Sequence, residues 1–193
     1  MPKFTEEERN YYYEKLIEEG ERLFNLRGLK GVTVDEITAN IGLGKGTFYN
    51  YFQNKEHLYM AINNSVQKEI FNEVEKTISN FTDIKNSEGL YQIMNIVLEF
   101  FKEHPMITYI DNEVYQRLLK KVPAKCMEEN NNNDKWIVNM LVIKGFKFKY
   151  SEEIVIKLLQ LVFLNAATCL KEGDGEKVLD LMFRAISKEV VFD

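Results

Sequence analysis

The chain has 193 residues, of which 45% are hydrophobic and 28% are charged, and its formal net charge is −5. A chain of this length and balance can bury a core without disulfides or metal, and its two cysteines, Cys126 and Cys169, have no metal-ligand spacing. It shows no N-terminal signal pattern and no apolar run near the roughly 18 residues of a membrane helix, which predicts a cytoplasmic protein with no membrane partner.

Acidic and basic residues are unevenly placed in the N-terminal part of the chain. Residues 1–21 hold seven glutamates against three lysines or arginines, whereas residues 22–55 hold five lysines or arginines against two acids. The second segment is therefore basic although the protein as a whole is acidic. Such a segment predicts modest binding to a polyanion that weakens steeply with salt.

Helical periodicity runs through nearly the whole sequence, which has three prolines and few strand signals, and it predicts an all-α fold of about nine helices. The first predicted helix begins after Thr5, with glutamates at its positive end, and stops at Gly28. A second, short helix begins at Thr33, where Thr33 and Glu36 fit a capping box. Gly42 ends that helix and supplies a tight turn.

The third predicted helix covers residues 45–51 and is anchored in the core by Phe48 and Phe52. Asn54 is expected to cap a long fourth helix with a continuous apolar stripe. We therefore predict two domains, a small three-helix domain at residues 1–54 and a larger helical domain at residues 55–193.

The remaining helices are predicted from apolar stripes and from the residues that interrupt them. One helix closes at Pro105, a further one runs from Pro105 to about Lys120, and a polar loop is expected at residues 130–133. The last two helices, at about 151–171 and 174–191, are apolar on more than one face. Helices of this kind need two packing partners, so we predict that one face packs on the same pair in a second copy. A two-sided core helix within a monomer is the alternative.

Three segments of the N-terminal part carry a recognisable motif: GVTVDEI at residues 31–37, GLGKGTFYNYF at 42–52 and NKEHL at 54–58. They resemble the N-terminal domain of the TetR family of bacterial transcriptional regulators. The resemblance implies a helix-turn-helix DNA-binding domain followed by a C-terminal domain for ligand sensing and dimerisation. It further implies a ligand-responsive regulator, expected to be a repressor, that binds a palindromic or pseudopalindromic double-stranded DNA operator as a homodimer. An unidentified small-molecule effector is expected to release it.

The resemblance also assigns a set of DNA-contact residues, and the residue types suit that role. Gly46 lets the backbone approach base edges, and the hydroxyl and methyl groups of Thr47 can contact a base and a thymine methyl. Gly44 stands where serine or threonine commonly caps this helix. Simple packing is the alternative for the tyrosines, and an ordinary solvated lysine is the alternative for Lys55. The complete set is Thr33, Lys45, Gly46, Thr47, Tyr49, Asn50, Tyr51 and Lys55.

An effector pocket in the larger domain is expected to have apolar and aromatic walls. Its candidate residues, each of which fits plain core equally well, are Phe100, Phe101, His104, Tyr109, Tyr115, Trp136, Met140 and Phe163. Two histidines without helix-spaced partners, and the lack of a phosphate loop after a strand, argue against an enzyme, and we expect no cofactor or metal. The alternative to a regulator is a helical small-molecule-binding or interaction protein whose N-terminal domain no longer reads DNA.

Overall fold

The computed structural model describes residues 4–80 and 85–193, without the side chains of 131–135 and 167. The described part contains nine α-helices, one 3-10 helix and no strand, which confirms the predicted all-α class. No helix in these ranges has the length and apolar character needed to cross a bilayer. The helices are α1 (Glu6–Arg27), α2 (Val34–Asn40), α3 (Lys45–Phe48), α4 (Lys55–Ser79), α5 (Ser87–Glu103), the 3-10 helix (Pro105–Thr108), α6 (Asn112–Lys121), α7 (Ala124–Ile143), α8 (Glu152–Cys169) and α9 (Gly175–Val190).

Backbone contacts divide the chain into two compact units. Unit 1 contains Met1–Ser65 and Tyr109–Asn130, and unit 2 contains Val66–Thr108 and Asn131–Asp193. Helix α6 therefore belongs to unit 1, although it is distant in sequence from the N-terminal helices. The predicted functional division into residues 1–54 and 55–193 is a different description of the chain, and it stays a prediction.

Helix α1 begins and ends where the sequence predicts. The Glu8 N–H donates to Thr5 Oγ1 (3.1 Å) and the Thr5 N–H donates to Glu8 Oε2 (2.8 Å), which completes a capping box. The C-terminal cap is Gly28, whose φ of 64° lies in the left-handed region that favours glycine. The buried face of α1 joins a core with α2, α3 and the start of α4. Fully buried members of this core are Leu16, Phe24, Ile37, Phe48, Leu58 and Tyr59.

Helices α2 and α3 and the turn between them form a helix-turn-helix. The Glu36 N–H donates to Thr33 Oγ1 (3.2 Å), but the Glu36 carboxylate accepts from Arg27 (2.6 Å). Only half of the predicted capping box therefore forms, because a guanidinium is a stronger partner for a carboxylate than a neutral N–H. Gly42 has a φ of 67° and supplies the predicted turn. Helix α3 ends at Phe48, three residues earlier than predicted, and hydrogen-bonded turns follow it.

Unit 2 is built on the contact between α5 and α9, with α8 packed beside both helices. Its core includes Ile93, Met94, Val97, Leu179 and Phe183, all of them buried. The backbone of Gly175 packs closely against the end of α8 in the connection between α8 and α9. A Cβ atom at Gly175 would lie 1.7 Å from the main-chain oxygen of Cys169. Glycine is therefore required at the start of α9.

The single helix predicted from Pro105 to about Lys120 is wrong, because the segment folds as two elements. A 3-10 helix covers Pro105–Thr108, and α6 begins at Asn112. The Asp111 carboxylate accepts a hydrogen bond from the Val114 N–H (2.7 Å) and caps the new helix. The acidic cap thus restarts the helix inside a region that periodicity alone treats as continuous.

The polar loop predicted at residues 130–133 is also wrong, because these residues lie inside α7. Asparagine has a low helix propensity, and a run of four favours a loop. Apolar residues on either side of the run, Met127 before it and Val138 and Leu141 after it, are nevertheless buried. Their burial outweighs the local propensity and keeps the helix continuous.

Candidate nucleic-acid interface

Helix α3 presents a polar face above two buried aromatic anchors. Phe48 and Phe52 are 0% and 2% exposed, and their ring centroids are 5.8 Å apart. These anchors fix the direction in which the opposite face points. A Cβ atom at Gly46 would have no neighbour within 4 Å, so this position faces open space. Of the predicted contact residues, Lys45, Gly46, Tyr49 and Asn50 are exposed here and Thr47 is half-buried.

Thr33 and Lys45 are both at the surface, and both already have partners. Thr33 is the N-cap of α2, with its hydroxyl oxygen bound to the Glu36 N–H. Lys45 Nζ lies 2.8 Å from Asp35 Oδ2, and this hydrogen-bonded carboxylate raises the pKa of Lys45. An external anion that contacts Lys45 therefore has to share it with Asp35 or displace Asp35.

The two tyrosines of the predicted set differ in accessibility. Tyr49 is 51% exposed. The Tyr51 hydroxyl is buried, lacks a hydrogen-bond partner in the part of the chain that the structure describes, and has a pKa raised by burial. Tyr49 can thus reach an external ligand directly, whereas a phosphate contact by Tyr51 requires its side chain to change conformation.

Lys55, in the first turn of α4, points inward to main-chain oxygens. Its Nζ donates to the Leu29 carbonyl (2.8 Å) and to the Val32 carbonyl in the connection between α1 and α2. Burial lowers the pKa of Lys55, and the positive charge of Arg117 lowers it further. In this arrangement Lys55 ties the α1–α2 connection to α4 and is not a solvated lysine, and its phosphate contact stays a prediction.

Glu56 is a buried charged residue that sequence reasoning missed. It is 1% exposed, and Oε1 of its carboxylate accepts from Arg117 Nε and, at 3.4 Å, from Lys121 Nζ, both on α6. Burial alone would raise the pKa of Glu56, but the hydrogen bonds from its own N–H and from Arg117 bring that pKa below its ordinary value. The partners are more than 60 residues away in sequence, so no local pattern indicates them.

The basic segment at residues 22–55 is largely neutralised within unit 1. All five of its lysines and arginines lie in the described ranges, and each has a partner. The pairs are Arg22 with Glu19 (2.7 Å), Arg27 with Glu36 (2.6 Å), Lys30 with Asp111 (3.1 Å) and Glu113 (2.6 Å), Lys45 with Asp35 (2.8 Å), and Lys55 with two carbonyls. Acids from outside the segment, on α1 and α6, thus reduce the positive charge that the sequence alone assigns to it.

His57 gives the interface region a dependence on pH. Its Nδ1 accepts from the Gln53 N–H (3.2 Å), its ring meets Phe52 edge-on (5.4 Å), and burial lowers its pKa below 6.5. A lowered histidine pKa contributes stability above about pH 6.5 that is lost as pH falls, because the unfolded chain binds the proton more readily. We expect the melting temperature to decrease by up to about 2–4 °C between pH 7.5 and 5.5 on this account. Circular dichroism melts of wild type and His57→Gln should differ in this slope; parallel slopes would contradict the assignment.

The predicted effector-pocket residues are distributed between the two units. Tyr109 and Tyr115 belong to unit 1. In unit 2, Phe101 lies 5.3 Å from Phe163, which lies 5.5 Å from Phe183. The other unit 2 candidates are Phe100 stacked on His104 (6.1 Å), Trp136 beside Phe71 (4.6 Å), and the buried Met140. The structure thus brings some candidates together in unit 2, and the pocket stays a prediction.

Helices α8 and α9 carry large apolar side chains on their exposed faces. Six of these residues are between 38% and 67% exposed in the single chain: Ile154, Leu161, Leu164, Val178, Leu181 and Met182. The same two helices also supply buried residues such as Val155, Val162 and Phe183. Both helices are therefore apolar on a buried face and on an exposed one, as their sequence pattern predicts.

The described helices define an all-helical protein with an N-terminal helix-turn-helix. Residues 16–62 match the sequence model described as bacterial regulatory proteins, tetR family. The N-terminal segment thus matches the TetR family of bacterial transcriptional regulators.

Individual relatives are similar to the chain over different lengths. The HTH-type transcriptional repressor DhaR of Mycobacterium sp. is 41% identical over 64 residues, which are 33% of this chain and 30% of DhaR. Matches to the curated relatives span between 30% and 64% of their own lengths. A TetR-family protein of Syntrophomonas wolfei has a similar fold, with a TM-score of 0.70 and 17% identity over 93% of this chain and 94% of that one. FadR of Bacillus subtilis, solved in complex with stearoyl-CoA, has a TM-score of 0.63 and 15% identity over 91% and 96% of the two chains.

Proposed function

We propose that the chain is a ligand-responsive transcriptional regulator that acts as a repressor in the cytoplasm. Two copies bind a palindromic double-stranded DNA operator, and a small-molecule effector releases them. The observation that carries this proposal is the exposed polar face of α3, held over the buried Phe48 and Phe52 in a helix-turn-helix. A helix presented in this way enters the major groove and contacts base edges.

Different residues of α3 and of the turn that follows it make different kinds of contact with DNA. Gly46 allows close approach, Thr47 and Asn50 contact base edges, and Tyr49 donates its hydroxyl to a backbone phosphate. Lys45 contributes a charge contact at the start of the helix. Thr33, Tyr51 and Lys55 complete the proposed set, although their partners in the free chain have to be exchanged or their side chains moved first.

The homodimer forms through α8 and α9, in the predicted ranges 151–171 and 174–191. Single exposed apolar residues are common on protein surfaces, but six large ones on two adjacent helices support a protein interface. A second copy of the same two helices is the partner, because a twofold axis lets one apolar surface cover its equivalent. The same symmetry matches two α3 helices to two half-sites of a palindrome.

The effector binds in unit 2, near the aromatic group of Phe101 and Phe163. Aromatic and aliphatic walls favour an apolar ligand with few polar groups. The solved FadR complex contains stearoyl-CoA, whose long acyl chain is the kind of apolar group that such walls accommodate, although its coenzyme A part is strongly polar. Binding shifts the population toward a conformation that holds the operator weakly.

Replacing Gly46 with leucine tests DNA recognition without disturbing the fold. The position faces open space, so the protein should keep its melting temperature, while the side chain blocks approach to the bases. We expect operator affinity to fall by about tenfold to hundredfold or more, the range of one to two lost base contacts. The measurement is fluorescence anisotropy with a duplex from the region upstream of the gene, located by footprinting.

Gly173→Leu is the matched control, because a Cβ atom at Gly173 also has no neighbour within 4 Å. It should leave DNA binding unchanged. If wild-type protein binds no duplex from that region at any salt concentration, the regulator proposal is wrong. That result would favour the alternative, a helical small-molecule-binding or interaction protein whose N-terminal domain no longer binds DNA.

A further inference from the structure

An ion pair beside the exposed polar face of α3 points to an additional role for α2. Lys45 Nζ, at the start of α3, lies 2.8 Å from Asp35 Oδ2, in the first turn of α2. Both side chains are at the surface, 51% and 67% exposed, so neither is needed for the core. The pair therefore costs little to rearrange, and its position makes it relevant to any anion that approaches α3.

Asp35 is one of two consecutive acidic residues on α2 that form ion pairs with basic residues of the N-terminal helices. Its neighbour Glu36 holds Arg27 at 2.6 Å. These acids are the only two in residues 22–55, and both are paired to a cation of that same segment. Asp35 differs from Glu36 because the lysine it holds belongs to the proposed contact set.

We propose that Asp35 is an affinity-determining residue that competes with DNA phosphate for Lys45. This inference rests on the proposed function. The paired carboxylate and ammonium have no net charge, so together they add little attraction for a phosphate. A phosphate that contacts Lys45 also comes close to the Asp35 carboxylate, which repels it. Asp35 thus lowers the affinity of the protein for DNA of any sequence. Base contacts by Thr47 and Asn50 then supply a larger share of the free energy of operator binding.

The salt dependence of binding reports this competition directly. A lysine that neutralises one phosphate releases about 0.9 of a counterion from duplex DNA. When Asp35 is displaced, its free carboxylate attracts a cation from solution and offsets that release. Removing the carboxylate should therefore steepen the plot of log affinity against log salt by up to about one unit.

The test compares Asp35→Asn with wild type on a random-sequence duplex and on the operator duplex, by fluorescence anisotropy between low and moderate salt. We expect the variant to bind both duplexes about twofold to fivefold more tightly at low salt, the range of one exposed ion pair. The salt slope should steepen with both duplexes, because phosphates are common to every sequence. Asp35→Glu, which keeps the charge, should stay near wild type, and Glu14→Gln, which removes the same charge from α1, should have a smaller effect.

A double-mutant cycle with Lys45→Gln separates competition from a general change in charge. The gain from Asp35→Asn should largely vanish when Lys45 is already glutamine. The inference is overturned if Asp35→Asn leaves affinity unchanged, weakens it, or tightens it equally in both backgrounds. If wild type binds the operator and one of these results is obtained, only the inference fails; if neither wild type nor variant binds any duplex, the proposed function fails and the inference with it.

Discussion

Replacing Glu56 with glutamine is expected to lower the free energy of unfolding by about 1–3 kcal/mol. The Glu56 side chain is 2% exposed and its carboxylate joins Arg117 and Lys121 of α6 to the first turn of α4. Glutamine preserves the volume but leaves both cations without their acid. Because Arg117 and Lys121 are 34% and 49% exposed, water compensates part of the loss and keeps it below that of a fully buried pair. Urea unfolding followed by circular dichroism measures the change.

Glu113→Gln is the matched control for this experiment. Glu113 is also ion-paired, to Lys30 at 2.6 Å, but its side chain is 75% exposed, so its loss should cost less than about 1 kcal/mol. The pH profile gives a second readout. Since the folded-state pKa of Glu56 lies below 4.5, its contribution is present above about pH 4.5 and is lost as pH falls through the folded value. Equal destabilisation by the two variants would show that the buried ion pair has no special role.

Replacing Leu181 with glutamate is expected to convert the proposed dimer to a monomer and to abolish the proposed tight binding to an operator. Leu181 on α9 is 67% exposed in the single chain and, in the proposed dimer, is covered by the partner. Burying a leucine contributes about 1.5–3 kcal/mol, and a twofold axis doubles every substitution. The dimer dissociation constant should therefore rise by at least about 100-fold. Size-exclusion chromatography with light scattering measures the oligomeric state, and anisotropy measures DNA binding.

Leu26→Glu provides the control, because Leu26 on α1 is 66% exposed and lies in unit 1. It introduces the same charge at the same degree of exposure, and it should leave the oligomeric state unchanged. A Leu181→Glu protein that remains a dimer at micromolar concentration would mean that α9 is not the interface. A wild-type protein that is monomeric would exclude the proposed dimer altogether.

Features set by neighbouring residues could be predicted from the sequence. The Thr5 cap, the turn at Gly42 and the anchors Phe48 and Phe52 each depend on residues within a few positions, and each is found where it is expected. The Asn run in α7 shows the limit of such reasoning. Its local preference for a loop is outweighed by the burial of apolar residues on both sides, and that burial depends on the rest of the fold.

The electrostatics of the candidate site could not be predicted, because the partners come from distant parts of the chain. Counting charges over residues 22–55 gives a basic segment, but Asp111, the N-cap of α6, and Glu113 in its first turn are brought to Lys30 by tertiary packing. The same packing buries Glu56 against Arg117. A motif specifies which residue types stand at an interface; it does not specify which of them are already engaged inside the protein.

The two hydrogen bonds donated by Lys55 restrict bending within the N-terminal helices. Its ammonium holds the carbonyls of Leu29 and Val32, one on each side of Gly31, from the first turn of α4. In the free chain, bending between α4 and that connection would break both bonds, which satisfy the half-buried charge of Lys55. We therefore expect the N-terminal end of α4 and the entry to α2 to move together whenever either of them is displaced.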